Sequence, residues 1–244
     1  MMKIRNTKVI ALFDILGTKN RMTTLGIDGV LATYEKLAAF VDQQTGSMVI
    51  RSAAAGDGTF CPAVGWLEVE KGYFSDAFLL WAEHDASRLP AFMQMCIDLF
   101  CYSLELAIPL RGGLGVGEAH MDKTKNIYLG PALIDAAEAE AAQRWLGIAC
   151  GKSFNQEQFA GPFDPRMVLA YVKQQNPGKE YKLPGLVLDW PRRWRETRKT
   201  DATAALDAMN TEPAFADLYK CTHGFVDFSL KSHDWFLKGT DMKI

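Results

Sequence analysis

The sequence has no CxxC pair, no stretch approaching the roughly 20 apolar residues of a membrane span, no internal repeat and no large excess of charge of either sign. The five cysteines, Cys61, Cys96, Cys101, Cys150 and Cys221, are odd in number and scattered, which argues against a disulfide framework and a structural zinc site. They are expected to be small buried apolar residues. A formal net charge of −2 supplies no global field toward nucleic acid or an anionic membrane, so any polyanionic ligand must be held by a local site. The N-terminal residues carry Lys3, Arg5 and Lys8 but run straight into a strand-like segment, without the apolar stretch and cleavage site of a signal peptide. The expectation is a cytoplasmic protein.

Familiar catalytic signatures are missing too. The four histidines, His84, His120, His223 and His233, show no metal-ligand spacing, and there is no GxSxG elbow for a Ser-His-Asp hydrolase. Gly113, Gly115 and Gly117 lack the GxGxxG spacing of a dinucleotide loop and fall within a strand, where glycine permits a helix or a second subunit to pack closely. Arg192-Arg193-Trp194-Arg195 interleaves basic and aromatic residues, but without a wider basic patch it reads as a solvated helix end.

What is present is an ordinary globular composition. With 244 residues, 48% hydrophobic and 23% charged, the chain can bury a sizeable core and is neither disordered nor collagen-like. Lys8 to Asp14 is an apolar β-like run ending in a carboxylate, broken by the glycine turn Ile15-Leu16-Gly17-Thr18. Val30, Tyr34, Leu37 and Val41 share one face of a helix. Arg51 to Cys61, with Gly56-Asp57-Gly58, reads as a loop or hairpin.

Trp66 to Lys71 and Tyr73 to Ala82 read as paired strands, with Gly72 between them and Asp76 just inside the second, across from Asp14. Ser87 is positioned to cap a helix with Pro90 in its first turn. A strand over Leu110 to Ala119, a polar turn over Met121 to Asn126, an alanine-rich helix over Pro131 to Trp145 and a strand over Gly147 to Cys150 follow. The order is β-α-β-β-α-β, then α and β: an α+β, ferredoxin-like or palm-type sheet with helices on one face. From Gly161 onward the pattern gives two strands (Met167 to Lys173, Gly185 to Trp190), the basic stretch Arg192 to Lys199 and two helices. One domain is expected over residues 1–244, with a core at about 8–151 and an elaboration at about 152–244.

Two carboxylates at neighbouring strand ends are what a two-metal phosphoryl site requires, because the cations must bridge triphosphate oxygens and the attacking hydroxyl. Asp14 and Asp76 meet that requirement. FDILGT at Phe13 to Thr18, FSD at Phe74 to Asp76, RGGLGVGEAH at Arg111 to His120 and YLGPALIDAAEAE at Tyr128 to Glu140 occur in this order. Together they resemble the class III nucleotide cyclases. In the form of the FSD triplet and the alanine-rich helix they look most like the bacterial pyrimidine cyclases of Pycsar anti-phage defence.

That resemblance spans Val9 to about Gly151 and implies a cyclase core. Asp14 and Asp76 would hold two Mn²⁺ or Mg²⁺ ions, with the backbone carbonyl of Ile15 as a further ligand. Phe13 and the Leu16-Gly17-Thr18 turn would lie against the triphosphate, a glycine there letting backbone N–H groups approach phosphate oxygens. Of the cations Arg111, Lys71, Arg144 and Arg51, Arg111 is the choice for the developing charge, since it begins the glycine-rich strand. Purine-specific members carry a Lys and an Asp where this chain has Gly72 and Ile127, and an Asn and an Arg where it has Ile134 and Glu138. Tyr73 would contact the smaller base of a pyrimidine. The implied activity is conversion of UTP to 3′,5′-cyclic UMP in a homodimer. Alternatives are CTP as substrate, or a catalytically silent nucleotide-binding module. The product would reach a separate cyclic-nucleotide-responsive effector, with no membrane or nucleic acid as partner.

Overall fold

A strand with apolar residues on both faces has to be covered twice. Thr7–Ile15 (β1) is such a strand, with Val9, Ile10 and Ala11 all buried in sequence. The computed structural model describes residues 7–45, 49–53, 60–64, 68–154, 164–171, 185–209 and 212–232. In it β1 is followed by a helix α1 (Thr18–Gln44) and two hairpins, β2 (Val49–Ala53) with β3 (Phe60–Val64) and β4 (Glu70–Phe74) with β5 (Ala77–Glu83). Then come α2 (Leu89–Glu105), β6 (Leu110–Glu118), the short hairpin β7 (His120–Asp122) and β8 (Ile127–Leu129), α3 (Pro131–Ala142) and β9 (Ile148–Cys150). The remaining elements are β10 (Val168–Ala170), β11 (Leu186–Leu188), α4 (Trp190–Thr197), α5 (Ala202–Met209) and α6 (Ala216–Lys231).

The main sheet has the order β10-β11-β9-β6-β1-β5-β4. Within it β6, β1, β5 and β4 are mutually antiparallel neighbours, which is the ferredoxin-like arrangement of a β-α-β-β-α-β unit, and the fold is α+β. β9 adds parallel to β6, and β11 and β10 continue the same sheet antiparallel.

The helices are not confined to one face, contrary to the expectation from element order. Val9, Ala11, Phe13 and Ile15 of β1 pack into one cluster with Leu37 and Val41 of α1 and Phe92, Cys96 and Phe100 of α2. Ile10, on the opposite side of the same strand, packs with Ala132 and Ala136 of α3. The period-2 alternation of β1 therefore separates α1 and α2 from α3. What admits α3 is the glycine run of β6. A Cβ on Gly113 would come within 2.6 Å of the Glu140 backbone nitrogen, and one on Gly115 within 3.0 Å of that of Ala136. The close-packing partner of those glycines is a helix of the same chain.

Other boundaries differ as well. Gly72 is inside β4, paired with Leu79, and the turn falls at Ser75-Asp76, where Ser75 has φ 49°. Ser87 does not cap α2: its hydroxyl and its N–H both bond to the Asp85 carboxylate, while the Asp85 carbonyl receives the Leu89 N–H. α1 starts well before its buried stripe and is interrupted at Gly26 (φ 69°, ψ 178°). α3 stops at Ala142 because Gln143 is extended. The expected loop at Gly56-Asp57-Gly58, Trp66, Lys173 and His233 lie outside the described residues. Cys96, Cys101 and Cys150 are buried and Cys221 half-buried, all as free thiols, and burial pushes that of Cys101 to about 12; the Cys61 side chain lies outside the described residues. No described helix is long and apolar enough to cross a membrane.

Candidate functional site

Asp14 is the next-to-last residue of β1, on the α3 side of the sheet together with Ile10 and Leu12. In register it stands between Ala77 of β5 and Arg111 of β6. Asp76 arrives from the β4–β5 turn, and its carbonyl accepts the Ile15 N–H at 2.9 Å, which ties that turn to the end of β1. The Tyr34 hydroxyl on α1 donates to the Ser75 carbonyl at 2.7 Å and braces the turn from the other side. Sequence reasoning assigned Tyr34 only to the apolar stripe. Its spacing fitted that stripe, and nothing in a helical pattern reports where a phenol tip ends.

The two carboxylates are close enough to feel each other. Burial raises the Asp14 pKa, the Arg111 guanidinium opposes that, and the charge of Asp76 raises it further. Burial also raises the Tyr34 phenol, with Asp76 and Asp14 adding to the shift. Such a pair is poised for positive charge. Among the described residues no three His, Cys, Asp or Glu side chains converge. A divalent ion here would therefore take two carboxylates from this chain and fill its shell with a backbone carbonyl, phosphate oxygens and water, a donor set that suits Mg²⁺ or Mn²⁺. The Ile15 carbonyl already accepts the Thr18 hydroxyl at 2.7 Å and retains its second lone pair for such a role.

The Leu16-Gly17-Thr18 turn leads from β1 into the N-terminus of α1, with Gly17 in the left-handed region (φ 72°) and no side-chain cap on the helix. Uncapped N–H groups and the helix dipole favour an anion at such a start. The turn is not bare. Glu212 Oε1 lies 3.1 Å, and the edge of the Phe215 ring 3.6 Å, from where a Gly17 Cβ would stand, so the C-terminal part of the chain reaches the candidate site. No sequence signal pointed to that contact.

Arg111 reaches the site through a fork. Its Nη2 is 3.6 Å from Asp14 Oδ2, its Nε pairs with Glu140, and its Nη1 donates to the Gln143 carbonyl at 3.2 Å. Lys71 pairs with Asp42 instead, and Arg144 with Asp217 at 2.8 Å; the Arg51 side chain lies outside the described residues.

Two expected site residues are not brought to this face. Phe13 is fully buried in the core beside Phe78, so only its backbone borders the turn. Tyr73 lies on the α1 side, edge-on to Tyr34 at 5.7 Å and beside Phe78 at 5.0 Å. Its neighbour Gly72 faces the other way: a Cβ there would meet Trp81 at 3.3 Å and the Tyr128 hydroxyl at 3.4 Å. Tyr128 in turn stands edge-on to Phe74 at 4.9 Å and to Trp81 at 5.5 Å. Ile127 and Ile134 are exposed, and Glu138 pairs with Lys152 at 3.6 Å. The basic stretch is exposed at Arg195, which donates to Ser229 at 3.0 Å, while its other arginines are held in ion pairs: Arg193 forks onto Asp98 at 2.6 and 3.0 Å, Arg192 meets Glu196 on its own helix and Arg198 meets Glu105.

No protein-family model matches the sequence, and no curated protein matches it. Among solved structures the chain is similar to a bacterial light-regulated adenylyl cyclase, at 11% identity over 83% of this chain and 56% of that one, with a TM-score of 0.45. It is also similar to the catalytic core of a rhodopsin-guanylyl cyclase with converted specificity, in complex with ATPαS, at 12% identity over 70% of this chain and 92% of that one, with a TM-score of 0.42.

Proposed function

We propose that this chain is a nucleotide cyclase, acting as a single domain, and the observation that carries the proposal is the pairing of Asp14 with Asp76 at one end of the sheet beside the uncapped start of α1. Asp14, Asp76 and the Ile15 carbonyl would hold two Mn²⁺ or Mg²⁺ ions. When bound, such ions draw down the barrier to displacement at phosphorus by neutralising the attacking and leaving oxygens. The N–H groups of the Gly17 turn orient the triphosphate, and Arg111 offers N–H donors to charge that grows as pyrophosphate departs. The ribose 3′-oxygen forms a bond to the α-phosphorus, the bond from that phosphorus to the β-phosphate bridging oxygen breaks, and the hydroxyl proton leaves to solvent.

UTP is the substrate we favour, with CTP next, since Gly72 and Ile127 offer no polar side chain to read a purine. A homodimer is favoured by the exposed apolar side chains of Phe74, Ile127, Leu129 and Ile134, which a second copy would cover. The product would then act as a cytoplasmic messenger in anti-phage defence, read by a separate effector. One observation favours a silent nucleotide-binding module instead: Ile134, where related enzymes carry a polar group for the ribose, is an exposed apolar side chain.

The test is to incubate purified protein with Mn²⁺ and each of the four nucleoside triphosphates, and to detect cyclic monophosphates by mass. Cyclic UMP is the expected product. Absence of any cyclic product, with nucleotide still bound, would leave the silent module.

A further inference from the structure

Arg111 makes unequal contacts. It lies directly across the strand pair from Asp14, yet the separation of 3.6 Å is an ion pair beyond hydrogen-bond range. Its hydrogen bonds go to the Glu140 carboxylate and the Gln143 carbonyl. Those acceptors sit at the end of α3, and that end is clamped to β6: the Gln143 amide donates to the Gly112 carbonyl at 2.5 Å and the Ala139 carbonyl at 3.1 Å. Gly113 lets the Glu140 backbone approach to a distance no side chain would permit. Glu140 is itself buried, so the pair with Arg111 is little screened by solvent.

From this geometry we infer that Glu140 is a positioning residue which holds Arg111 off Asp14. The inference rests on the cyclase reading of Asp14 as a metal ligand. While Glu140 keeps Nε, the guanidinium cannot close onto Asp14, so that carboxylate stays available to a divalent cation and Nη2 stays turned toward the site for a phosphate oxygen. Without the Glu140 charge, Asp14 is the remaining carboxylate partner of Arg111, and the guanidinium competes with the cation for it.

The test is Mn²⁺ binding, read from the free-ion electron paramagnetic resonance signal, on Glu140→Gln, Arg111→Ala and the double variant. Glu140→Gln is nearly isosteric. It is expected to weaken Mn²⁺ binding by roughly tenfold, a coupling of ordinary size. Arg111→Ala should bind Mn²⁺ at least as tightly as wild type, and adding Glu140→Gln to it should change nothing further. Glu140→Asp keeps the charge and draws Arg111 away from Asp14, so its Mn²⁺ affinity should match wild type. The inference is overturned if Glu140→Gln binds Mn²⁺ normally, if it weakens binding equally with Arg111 absent, or if Glu140→Asp is as weak as Glu140→Gln. A wild type that binds Mn²⁺ but forms no cyclic product sinks the cyclase reading and leaves this measurement decisive for Glu140. A wild type that takes up no Mn²⁺ overturns both.

Discussion

Gly113 of β6 and Ala136 of α3 touch backbone to backbone, so that a Cβ at residue 113 would run into the Ala136 carbonyl. Neither backbone can yield without moving α3, and with it the Glu140 and Gln143 groups that hold Arg111. Gly113→Ala is therefore expected to cost ~3 kcal/mol or more, the upper end for overpacking. Gly26→Ala is the contrast: nothing lies within 4 Å, and only the positive φ of 69° is strained. With ψ at 178° this backbone lies in a region essentially restricted to glycine, and that strain costs about 1–3 kcal/mol. Urea unfolding of both variants measures the difference, and a Gly113→Ala protein as stable as wild type would contradict the packing described.

If the proposed cyclase reading holds, Asp14→Ala or Asp76→Ala should abolish cyclisation, by ~10³-fold or more, since each would remove a hard oxygen ligand worth several kcal/mol of transition-state charge stabilisation. The fold should survive, because neither side chain belongs to the apolar core. Two folded variants with near-normal turnover would show that the metal assignment is wrong.

The same residue gives a pH signature without metal. Burial raises the folded pKa of Asp14 above its ordinary value of 3.8. Above 3.8 the folded protein holds this proton more tightly than the unfolded chain does, so stability falls as pH rises through the folded pKa. Asp14→Asn removes that loss. In EDTA the variant should melt above wild type at pH 7, with the gain fading as pH drops toward 3.8. A melting difference independent of pH would mean that ionised Asp14 is not the cause.

The strands were legible where residues announce their own setting. The β1 run, the apolar stripe at Val30, Leu37 and Val41 and the alanine-rich α3 all stand near their expected positions. The start of α1 was hidden because Gly26 breaks the pattern and Met22, Leu25 and Ile27 are exposed apolar residues. The β4–β5 turn was misjudged because Gly72 is the stronger local punctuation, whereas Ser75 takes a left-handed conformation that its side chain does not advertise. The face that receives α3 is a tertiary fact. Alanine spacing says that a helix packs closely, without saying on which side of the sheet. The approach of Glu212 to Gly17 joins residues about 195 apart in sequence, and no local pattern encodes it.

That approach has a measurable consequence. Glu212 brings negative charge to a turn suited to phosphate, where like charges 4 Å apart cost about 1 kcal/mol even at the dielectric constant of water. Glu212→Gln should bind nucleoside triphosphate roughly 5-fold more tightly at low ionic strength. The gain should shrink in 1 M salt, where the Debye length is only about 3 Å. Calorimetric titration at both salt concentrations checks this, and equal affinities for the variant and wild type at low salt would remove Glu212 from the phosphate site.

On the proposed cyclase reading, base selectivity would separate two tyrosines. Tyr73 was expected to contact a pyrimidine base, but its ring is packed between Tyr34 and Phe78 on the α1 side of the sheet. Gly72, where the sequence resemblance implies that purine-specific cyclases carry a reading group, faces Tyr128 instead: a Cβ there would stand 3.4 Å from the Tyr128 hydroxyl, and that ring is held edge-on by Phe74 and Trp81. If the pocket is too small for two rings, the residue that closes it is Tyr128. Tyr128→Ala should then raise the share of cyclic AMP and cyclic GMP in a competition of equal UTP, CTP, ATP and GTP, while Tyr73→Ala leaves selectivity nearly unchanged and loosens the packing on Tyr34. The shift should be about 10-fold to 10²-fold, the range a pocket achieves by shape without a buried polar reader. Tyr128→Phe divides the effect further. If the ring alone excludes purines it should behave as wild type, and if the hydroxyl reads the pyrimidine edge it should lose preference between UTP and CTP. A Tyr128→Ala enzyme with wild-type product ratios would place the discrimination elsewhere, and selectivity lost in Tyr73→Ala alone would return it to the α1 side.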